Sequence, residues 1–387
     1  MIHTLAVSCY RSLHELIVPL TKLNVITGPN GSGKSNFYRA LTLLAQTASG
    51  GAVQALAREG GLPSTFWAGP DAATVAKSSG GATIWATNKS APKRLKLGFS
   101  GDTFGYAVSF GLPIPDNSRF HLDPMIKSEH IWAGGAYRQA TALVARAGPL
   151  VQVRRQRAWE ALNLGLSDFE SVFSAVADPV ATPEIFVLRE AIQGWRFYDH
   201  LRTDADAPAR TPQIGTLTTV LHPSGRDLAA ALQTIFEIGD SAAMHNAVSD
   251  AFPGAHISIG AQEDGRFVLH FHQEGLLRPL QAAELSDGTL RYLLLIAALL
   301  TPRPPPLLVL NEPETSLHPD LLPALARLII SASTKTQTWV ISHAQGLIQA
   351  LTALPTCNLI ELAKSFSQTK VVGQGQLDRP SWYWPDG

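Results

Sequence analysis

A glycine-rich segment near the start of the chain constrains its fold more than any other feature. The apolar run Leu-Asn-Val-Ile-Thr at residues 23–27 is typical of a strand, and Gly-Pro-Asn-Gly-Ser-Gly-Lys-Ser follows at residues 28–35. A helical apolar pattern then extends from about residue 33 to residue 47. A G-x-x-x-x-G-K-S segment between a strand and a helix predicts a phosphate-binding loop.

Each residue type in this loop has a physical role in binding phosphate. Glycines allow backbone N–H groups to converge on phosphate oxygens, the lysine brings positive charge, and the last hydroxyl is a ligand for Mg²⁺. The positive end of the helix dipole adds to the attraction. We therefore expect a nucleotide to be bound by Gly28, Pro29, Asn30, Gly31, Ser32, Gly33, Lys34 and Ser35, with Ser35 also acting as a metal ligand.

The composition limits the partners and the compartment. Lys+Arg and Asp+Glu both number 31, so no overall field draws the chain to nucleic acid or to an anionic membrane. The 16% of charged and 45% of apolar residues favour a large core and a buried subunit surface. The two cysteines, Cys9 and Cys357, form neither a disulfide framework nor a metal-binding spacing. No signal-peptide pattern begins the chain, and its longest apolar run, residues 292–300, is too short to span a bilayer. We expect a cytoplasmic protein without a membrane partner.

The periodicity of apolar residues divides the chain into four predicted segments. Residues 1–80 and 253–387 alternate between strands and helices, which predicts the two parts of an α/β core. Short alternating runs separated by Gly, Asp and Pro predict an antiparallel β-rich subdomain over residues 81–157. Longer periods with capping residues predict a mainly helical segment over residues 158–252.

Three further motifs lie in the last third of the chain. Leu-Ser-Asp-Gly-Thr at residues 285–289 is a helix-opening segment whose polar groups can donate to phosphate. The apolar run at residues 307–310 predicts a buried parallel strand, and Asn311 and Glu312 follow it directly. His343 comes just after the next buried strand. Each motif is weak alone, and their order carries the information.

In this order the motifs resemble those of the ABC-type ATPases, specifically the stand-alone RecF-like and SMC-like predicted ATPases (AAA-type ABC ATPases, AAA_21-like), over essentially the whole chain. The resemblance implies an ABC-ATPase head with a RecA-like core and a mainly parallel sheet. It makes residues 28–35 the Walker A loop and residues 285–289 the signature motif, and it places the β-rich and helical subdomains between them. It also implies ATP and Mg²⁺ as ligands, and ATP hydrolysis in DNA repair, recombination or phage defence.

The resemblance assigns roles to individual residues. Glu312 corresponds to the catalytic glutamate that activates the attacking water, and His343 to the switch histidine that contacts the γ-phosphate. Residues 316–318 correspond to the D-loop, and Arg11 to a basic residue that approaches the nucleotide. No Q-loop glutamine stands out among Gln152, Gln156 and Gln193. Within the signature motif, the nucleotide-binding residues correspond to Ser286, Asp287 and Gly288.

The signature motif also implies an oligomeric state. In this family its serine and glycine complete the nucleotide site of the opposite subunit. One chain with one Walker A loop and one signature motif is therefore expected to close as a homodimer around two ATP molecules, through the signature motif and the D-loop. Hydrolysis would then release the dimer, as in a ligand-biased switch.

Asn311 departs from the family pattern, which has Asp at this position. The Asp holds Mg²⁺ together with the loop hydroxyl, and Asn keeps one acceptor oxygen but loses the charge. We expect Asn311 and Ser35 to be the metal ligands, with weaker retention of Mg²⁺ and slow turnover. Compensation by Glu312 or Glu314 is the alternative. A second functional class also stays open: an ATP-binding switch module with little turnover that gates a separate effector protein.

Basic residues concentrate in the β-rich segment and predict a surface for DNA. Phosphate contacts by such residues would give salt-dependent binding. The alternative is an ordinary solvated strand face. The aromatic tail at residues 381–385 is predicted to pack over a sheet edge. The basic residues are Lys93, Arg94, Lys96, Arg138, Arg146, Arg154, Arg155 and Arg157.

Overall fold

The computed structural model describes residues 1–69, 93–114, 119–156, 158–163, 165–176, 178–375 and 377–385. Its strands are β1 (Ile2–Tyr10), β2 (Leu13–Pro19), β3 (Leu23–Thr27), β4 (Leu95–Gly101), β5 (Phe104–Gly111), β6 (Met125–Ala133), β7 (Ala142–Ala147), β8 (Leu150–Arg155), β9 (Ala158–Leu162), β10 (Arg196–Tyr198), β11 (Gln213–Ile214), β12 (His256–Ala261), β13 (Arg266–His272), β14 (Leu280–Gln281), β15 (Leu307–Asn311), β16 (Gln337–Ile341), β17 (Cys357–Ser365) and β18 (Gln368–Val371). Its α-helices are α1 (Lys34–Thr47), α2 (Ala52–Arg58), α3 (Leu62–Thr65), α4 (Val172–Ala175), α5 (Pro183–Gln193), α6 (Leu228–Ile238), α7 (Ser241–Ala251), α8 (Asp287–Leu299), α9 (Leu322–Ser333) and α10 (Gln345–Thr352).

The chain forms two compact units, and both are discontinuous in sequence. Unit one contains residues 1–20, 28–193 and 360–387, and unit two contains residues 21–27 and 194–359. These units differ from the four predicted segments, because the chain passes from one unit to the other directly after β3. Among the described residues, no helix is both long and apolar enough to cross a membrane.

Unit one is built on an eight-stranded antiparallel sheet with the order β2-β1-β4-β5-β6-β7-β8-β9. Its alternating apolar residues bury one another across neighbouring strands, as for Val7 opposite Leu97. The aromatic tail packs on inner strands of this sheet, since a Cβ at Gly98 would come within 2.7 Å of the Trp382 ring, and the Trp132 and Trp382 rings lie 5.7 Å apart. Packing on inner strands replaces the predicted packing on an edge.

A buried ion pair crosses this sheet. Glu129 on β6 and Arg146 on β7 are fully buried and lie 2.7 Å apart. The Glu129 carboxylate also accepts from the Tyr106 and Ser171 hydroxyls at 2.7 and 2.6 Å and from the backbone N–H of Val172 at 2.9 Å. These bonds satisfy the carboxylate and hold the start of α4 on the sheet.

Unit two contains four adjacent parallel strands in the order β10-β15-β16-β3. The first four residues of β15 are buried, as expected for a strand covered on both faces, and α8 and α9 contribute to the same core. The prediction of a mainly parallel sheet in the core is not confirmed: these four strands are parallel, but the largest sheet among the described residues is antiparallel. β1 and β2 are joined by a two-residue turn, which pairs them antiparallel, and β1 continues the sheet of unit one by pairing with β4.

The remaining secondary-structure predictions are partly confirmed. The order helix, strand, helix, strand, helix, strand over residues 285–364 is confirmed by α8 to β17, and β12 and β13 form an antiparallel hairpin. Residues 158–252, predicted to be mainly helical, contain α4 to α7 but also β9 to β11 and irregular segments. The strand content arises because β9 extends the sheet of unit one and β10 pairs with β15.

Candidate functional site

The glycine-rich loop of unit one has a backbone that only glycine can follow. Gly28 and Gly33 have φ values of 144° and 111°, and added Cβ atoms would meet Leu362 O at 2.2 Å and Thr369 Oγ1 at 2.1 Å. These distances are too short for any real contact. Gly31 also has a positive φ, 77°, but a Cβ there would meet nothing within 4 Å. The loop is therefore braced at both ends and open at its centre.

Lys34, the first residue of α1, folds back over this loop. Its side chain is largely buried, and Nζ donates to Gly28 O at 2.5 Å and to Pro29 O at 3.2 Å. The Ser32 hydroxyl is buried and has no hydrogen-bond partner among the described residues. Ser35 and Asn30 are exposed. An ammonium on carbonyls, an unpartnered hydroxyl and a helix N-terminus together provide donors for an anion.

A series of hydrogen-bonded side chains in unit one, Asn36, Ser12 and Thr369, supports the loop through Thr369. Thr369 on β18 donates to Ser32 O at 2.8 Å and shares a 2.7 Å hydrogen bond with the Ser12 hydroxyl. Asn36 on α1 donates to the same Ser12 oxygen at 2.8 Å. The Ser12–Thr369 pair was not identified from the sequence, because its members lie at opposite ends of the chain.

Arg11, predicted to approach the nucleotide, is paired within unit one. Its guanidinium donates to Glu59 at 2.8 and 3.1 Å, and its backbone has a positive φ of 49°. Tyr10 donates to the same carboxylate, and burial together with this contact raises the pKa of the Tyr10 hydroxyl. The role of Arg11 at a nucleotide stays a prediction.

In unit two, three parallel strands end side by side. Ile26 on β3 lies opposite Ile341 on β16, which lies opposite Asn311 on β15. The glycine-rich loop begins two residues after Ile26. Glu312, directly after β15, has a positive φ of 47° and donates its N–H to Ile341 O at 2.8 Å. This unusual backbone conformation turns the chain sharply at the strand end.

The structure brings Glu312 and His343 together at this edge. His343 Nδ1 lies 3.6 Å from one carboxylate oxygen of Glu312 and 3.6 Å from one of Glu314. Glu314 is buried and accepts from the Ser342 hydroxyl at 2.7 Å and from the His343 backbone N–H at 3.1 Å. Glu312 and His343 are both about half exposed. Glu314 thus positions the histidine segment, whereas Glu312 faces solvent.

Asn311 contacts a carboxylate that sequence reasoning missed. Its Nδ2 donates to Asp199 Oδ1 at 2.7 Å. β10 and β15 pair in parallel with Tyr198 opposite Leu310, so Asp199 and Asn311 are the next residues of neighbouring strands. The only sequence signal was an aspartate directly after a three-residue apolar and basic run, which is too short to predict a strand.

The signature segment opens helix α8, as predicted. The Ser286 hydroxyl caps the helix by accepting from the Thr289 N–H at 3.2 Å. Asp287 pairs with Arg210 at 2.7 Å. A Cβ at Gly288 would come within 2.8 Å of Ser316 O, so glycine lets the helix start lie against the D-loop segment.

Arg291, one turn further along α8, was also missed. It is buried and donates to Leu201 O at 2.8 Å and to Glu312 O at 3.1 Å. Burial lowers the pKa of its guanidinium, against the favourable charges of Glu314, Asp199 and Glu312. The signature helix and the Glu312 backbone are thereby linked directly.

Fewer basic side chains of the β-rich segment are available for DNA than the sequence predicted. Arg146 belongs to the buried ion pair with Glu129, because a charged side chain on an inner strand faces the core there. Arg154 donates to backbone carbonyls of residues 139 and 140, and Arg155 pairs with Glu160 at 3.2 Å. Arg157 lies outside the described residues.

A preformed metal cage is absent from the described ranges. No group of three or more His, Cys, Asp or Glu side chains there is arranged to hold a metal ion. Mg²⁺ does not need such a group, because the ion is usually held by one or two protein ligands together with substrate phosphates and water.

Comparison with known proteins gives the fold and the family. The chain is similar to the crystal structure of the SmcHead bound to the C-winged helix domain of ScpA (TM-score 0.52, 14% identity, covering 96% of this chain and 97% of that chain). It is also similar to the Smc head domain with an extended coiled coil bound to the C-terminal domain of ScpA from Pyrococcus furiosus (TM-score 0.50, 13% identity, covering 96% of this chain and 95% of that chain).

No curated protein matches the chain. A family profile described as "AAA domain, putative AbiEii toxin, Type IV TA system" matches residues 23–348. With its SMC-head-like α/β fold and this match over most of its length, the chain belongs to the AAA_21 family of AAA domains.

Proposed function

We propose that the protein binds and hydrolyses ATP as an ABC-type ATPase. The observation that carries this proposal is the pairing of Glu312 and His343 at the edge of unit two where β3 ends. The braced loop supports it, because its open centre and its donors suit phosphate oxygens. The residues present therefore fit a nucleotide with Mg²⁺.

The proposed mechanism assigns one task to each side chain. Lys34 leaves the carbonyls of Gly28 and Pro29 and binds the outer phosphates. Glu312 accepts a proton from the attacking water, and His343 donates to the γ-phosphate. Ser35 and Asn311 are the proposed ligands of Mg²⁺, which neutralises phosphate charge when it is bound.

The signature segment supports a dimeric mechanism. Ser286 and Asp287 are exposed at the start of α8, where the helix dipole favours an anion. We propose that Ser286 and Gly288 contact the γ-phosphate held by a second copy of the chain, so that ATP closes the homodimer and hydrolysis opens it.

A second candidate is favoured by Asn311. An ATP-binding switch with little turnover would use the same loop and the same dimer to gate a separate effector protein. The turnover number separates the two candidates, because a switch would hydrolyse less than about one ATP per minute, well below the typical range for enzymes. DNA binding, a role in repair or phage defence and a cytoplasmic location stay predictions.

Lys34→Ala tests the loop. We expect the affinity for ATP to fall about 10- to 100-fold, because a charged hydrogen bond is worth about 1.5–3 kcal/mol. Titration with a fluorescent ATP analogue measures this. Lys22→Ala is the control, since Nζ of Lys22 donates to Thr334 O on the exposed surface. Equal affinity of Lys34→Ala and the wild type would remove the loop from the proposal.

Ser286→Arg tests the dimer. We expect the monomer to bind ATP normally but not to dimerise, because a long cation replaces the small donor at the partner's phosphate. Light scattering with a non-hydrolysable ATP analogue measures the mass, and Glu263→Arg in the exposed β12–β13 turn is the control. An ATP-dependent dimer of Ser286→Arg would contradict the proposed interface.

A further inference from the structure

Asp199 and Asn311 form a hydrogen-bonded pair at the ends of two neighbouring strands. We propose that Asp199 supplies the negative charge that Asn311 lacks, and that both side chains act together as ligands of the Mg²⁺ that accompanies ATP. This inference rests on the proposed function, and it assigns the metal-binding charge to a different strand from the one that carries Glu312. In this proposal Asn311 does not replace the family's aspartate alone, because it binds the metal together with the Asp199 carboxylate.

The hydrogen bond between them fixes the orientation of both groups. Asn311 Nδ2 donates to Asp199 Oδ1 at 2.7 Å, which leaves Asn311 Oδ1 and Asp199 Oδ2 as the oxygens that can ligate a metal ion. Oxygen donors are the ligands that Mg²⁺ prefers. The parallel pairing of β10 with β15 places Tyr198 opposite Leu310, so the two residues that follow them, Asp199 and Asn311, lie side by side.

The two neighbouring carboxylates each have a contact of their own, and Glu314 Oε2 is buried without a hydrogen-bond partner among the described residues. Glu314 is buried, and one of its oxygens accepts from Ser342 and from the His343 N–H. Glu312 faces His343. Asp199 is about one-third exposed, and His200 Nε2 lies 3.6 Å from Asp199 Oδ2 on a side chain that is 90% exposed. His200 can therefore move aside at little cost when a metal ion arrives.

Exchanging the two side chains tests the pair. The variants are Asp199→Asn, the exchange Asp199→Asn with Asn311→Asp, and the control Asp206→Asn, an exposed carboxylate nearby in unit two. Electron paramagnetic resonance measures the affinity for Mn²⁺ in the presence of a non-hydrolysable ATP analogue. Binding of the analogue is measured separately in EDTA, so that nucleotide and metal effects are distinguished. Thermal melting shows that each variant is folded.

We expect Asp199→Asn to weaken Mn²⁺ binding about 10- to 100-fold, as losses around metal ligands do. The exchange should restore it to within about threefold, while analogue binding in EDTA stays unchanged in every variant. An unchanged Mn²⁺ affinity in Asp199→Asn, or an exchange variant as weak as the single one, would overturn the pair alone. Failure of the wild type to bind the analogue would overturn the proposed function as well.

Discussion

Glu312→Gln is expected to lower ATP turnover by about 10²- to 10⁴-fold, the contribution typical of a positioned general base. Gln has the same shape but cannot accept the proton of the attacking water. The backbone of Glu312 has a positive φ, and its bonds to Ile341 O and from the Arg291 guanidinium use only main-chain atoms of Glu312, so both are retained in the variant. ATP binding should therefore persist, and the variant should accumulate as an ATP-loaded dimer that light scattering detects.

The control for this variant is Glu263→Gln, which removes an exposed carboxylate of unit two far along the chain from the proposed chemistry. Its turnover should equal that of the wild type. If Glu312→Gln hydrolyses ATP within about threefold of the wild type, Glu312 is not the base. If it binds ATP and stays monomeric, the nucleotide-sandwich scheme is wrong.

Glu129→Gln is expected to lower the free energy of unfolding by about 3–5 kcal/mol, as breaking a buried ion pair does. The change leaves the Arg146 guanidinium charged inside the sheet, where both side chains have no solvent exposure. It also weakens the bonds from the Tyr106 and Ser171 hydroxyls. Urea denaturation followed by near-ultraviolet circular dichroism measures the loss in unit one.

Glu160→Gln is the matched control, because Glu160 pairs with Arg155 on the surface of the same sheet at 3.2 Å. Its loss should stay below about 1 kcal/mol. The double variant Glu129→Gln with Arg146→Met should recover part of the stability, since it removes the uncompensated buried charge that Glu129→Gln leaves behind. A double variant less stable than Glu129→Gln would contradict this expectation and would show that the bonds from Arg146 to the Gly148 and Ser167 carbonyls outweigh the cost of its buried charge.

Local signals in the sequence were sufficient for the elements that bear the motifs. The glycine-rich loop, the helix after it and the capped start of α8 each depend on residues within one or two turns, and all three are found where they were predicted. The buried strand before Glu312 also carries its own signal, a continuous apolar run. Family resemblance then supplied the roles.

Long-range pairing explains what was missed. Asp199 and Asn311 are 112 positions apart, and no local pattern connects them. Arg146 resembled a surface cation because only its contact with Glu129 on the neighbouring strand shows that it is buried. The size of the antiparallel sheet depends likewise on a long-range contact, because β1 pairs with β4, which begins 85 residues after β1 ends.

The parallel pairing of β3 with β16 has a consequence for synthesis of the chain. Val25 pairs with Val340, so about 300 residues separate two neighbouring strands of unit two. At a translation rate of about 5–20 residues per second, β3 waits roughly 15–60 s on the ribosome before its partner emerges. An apolar strand without its partner is a template for wrong pairing during that time. Unit two is therefore expected to fold late and to depend on chaperones that shield nascent strands.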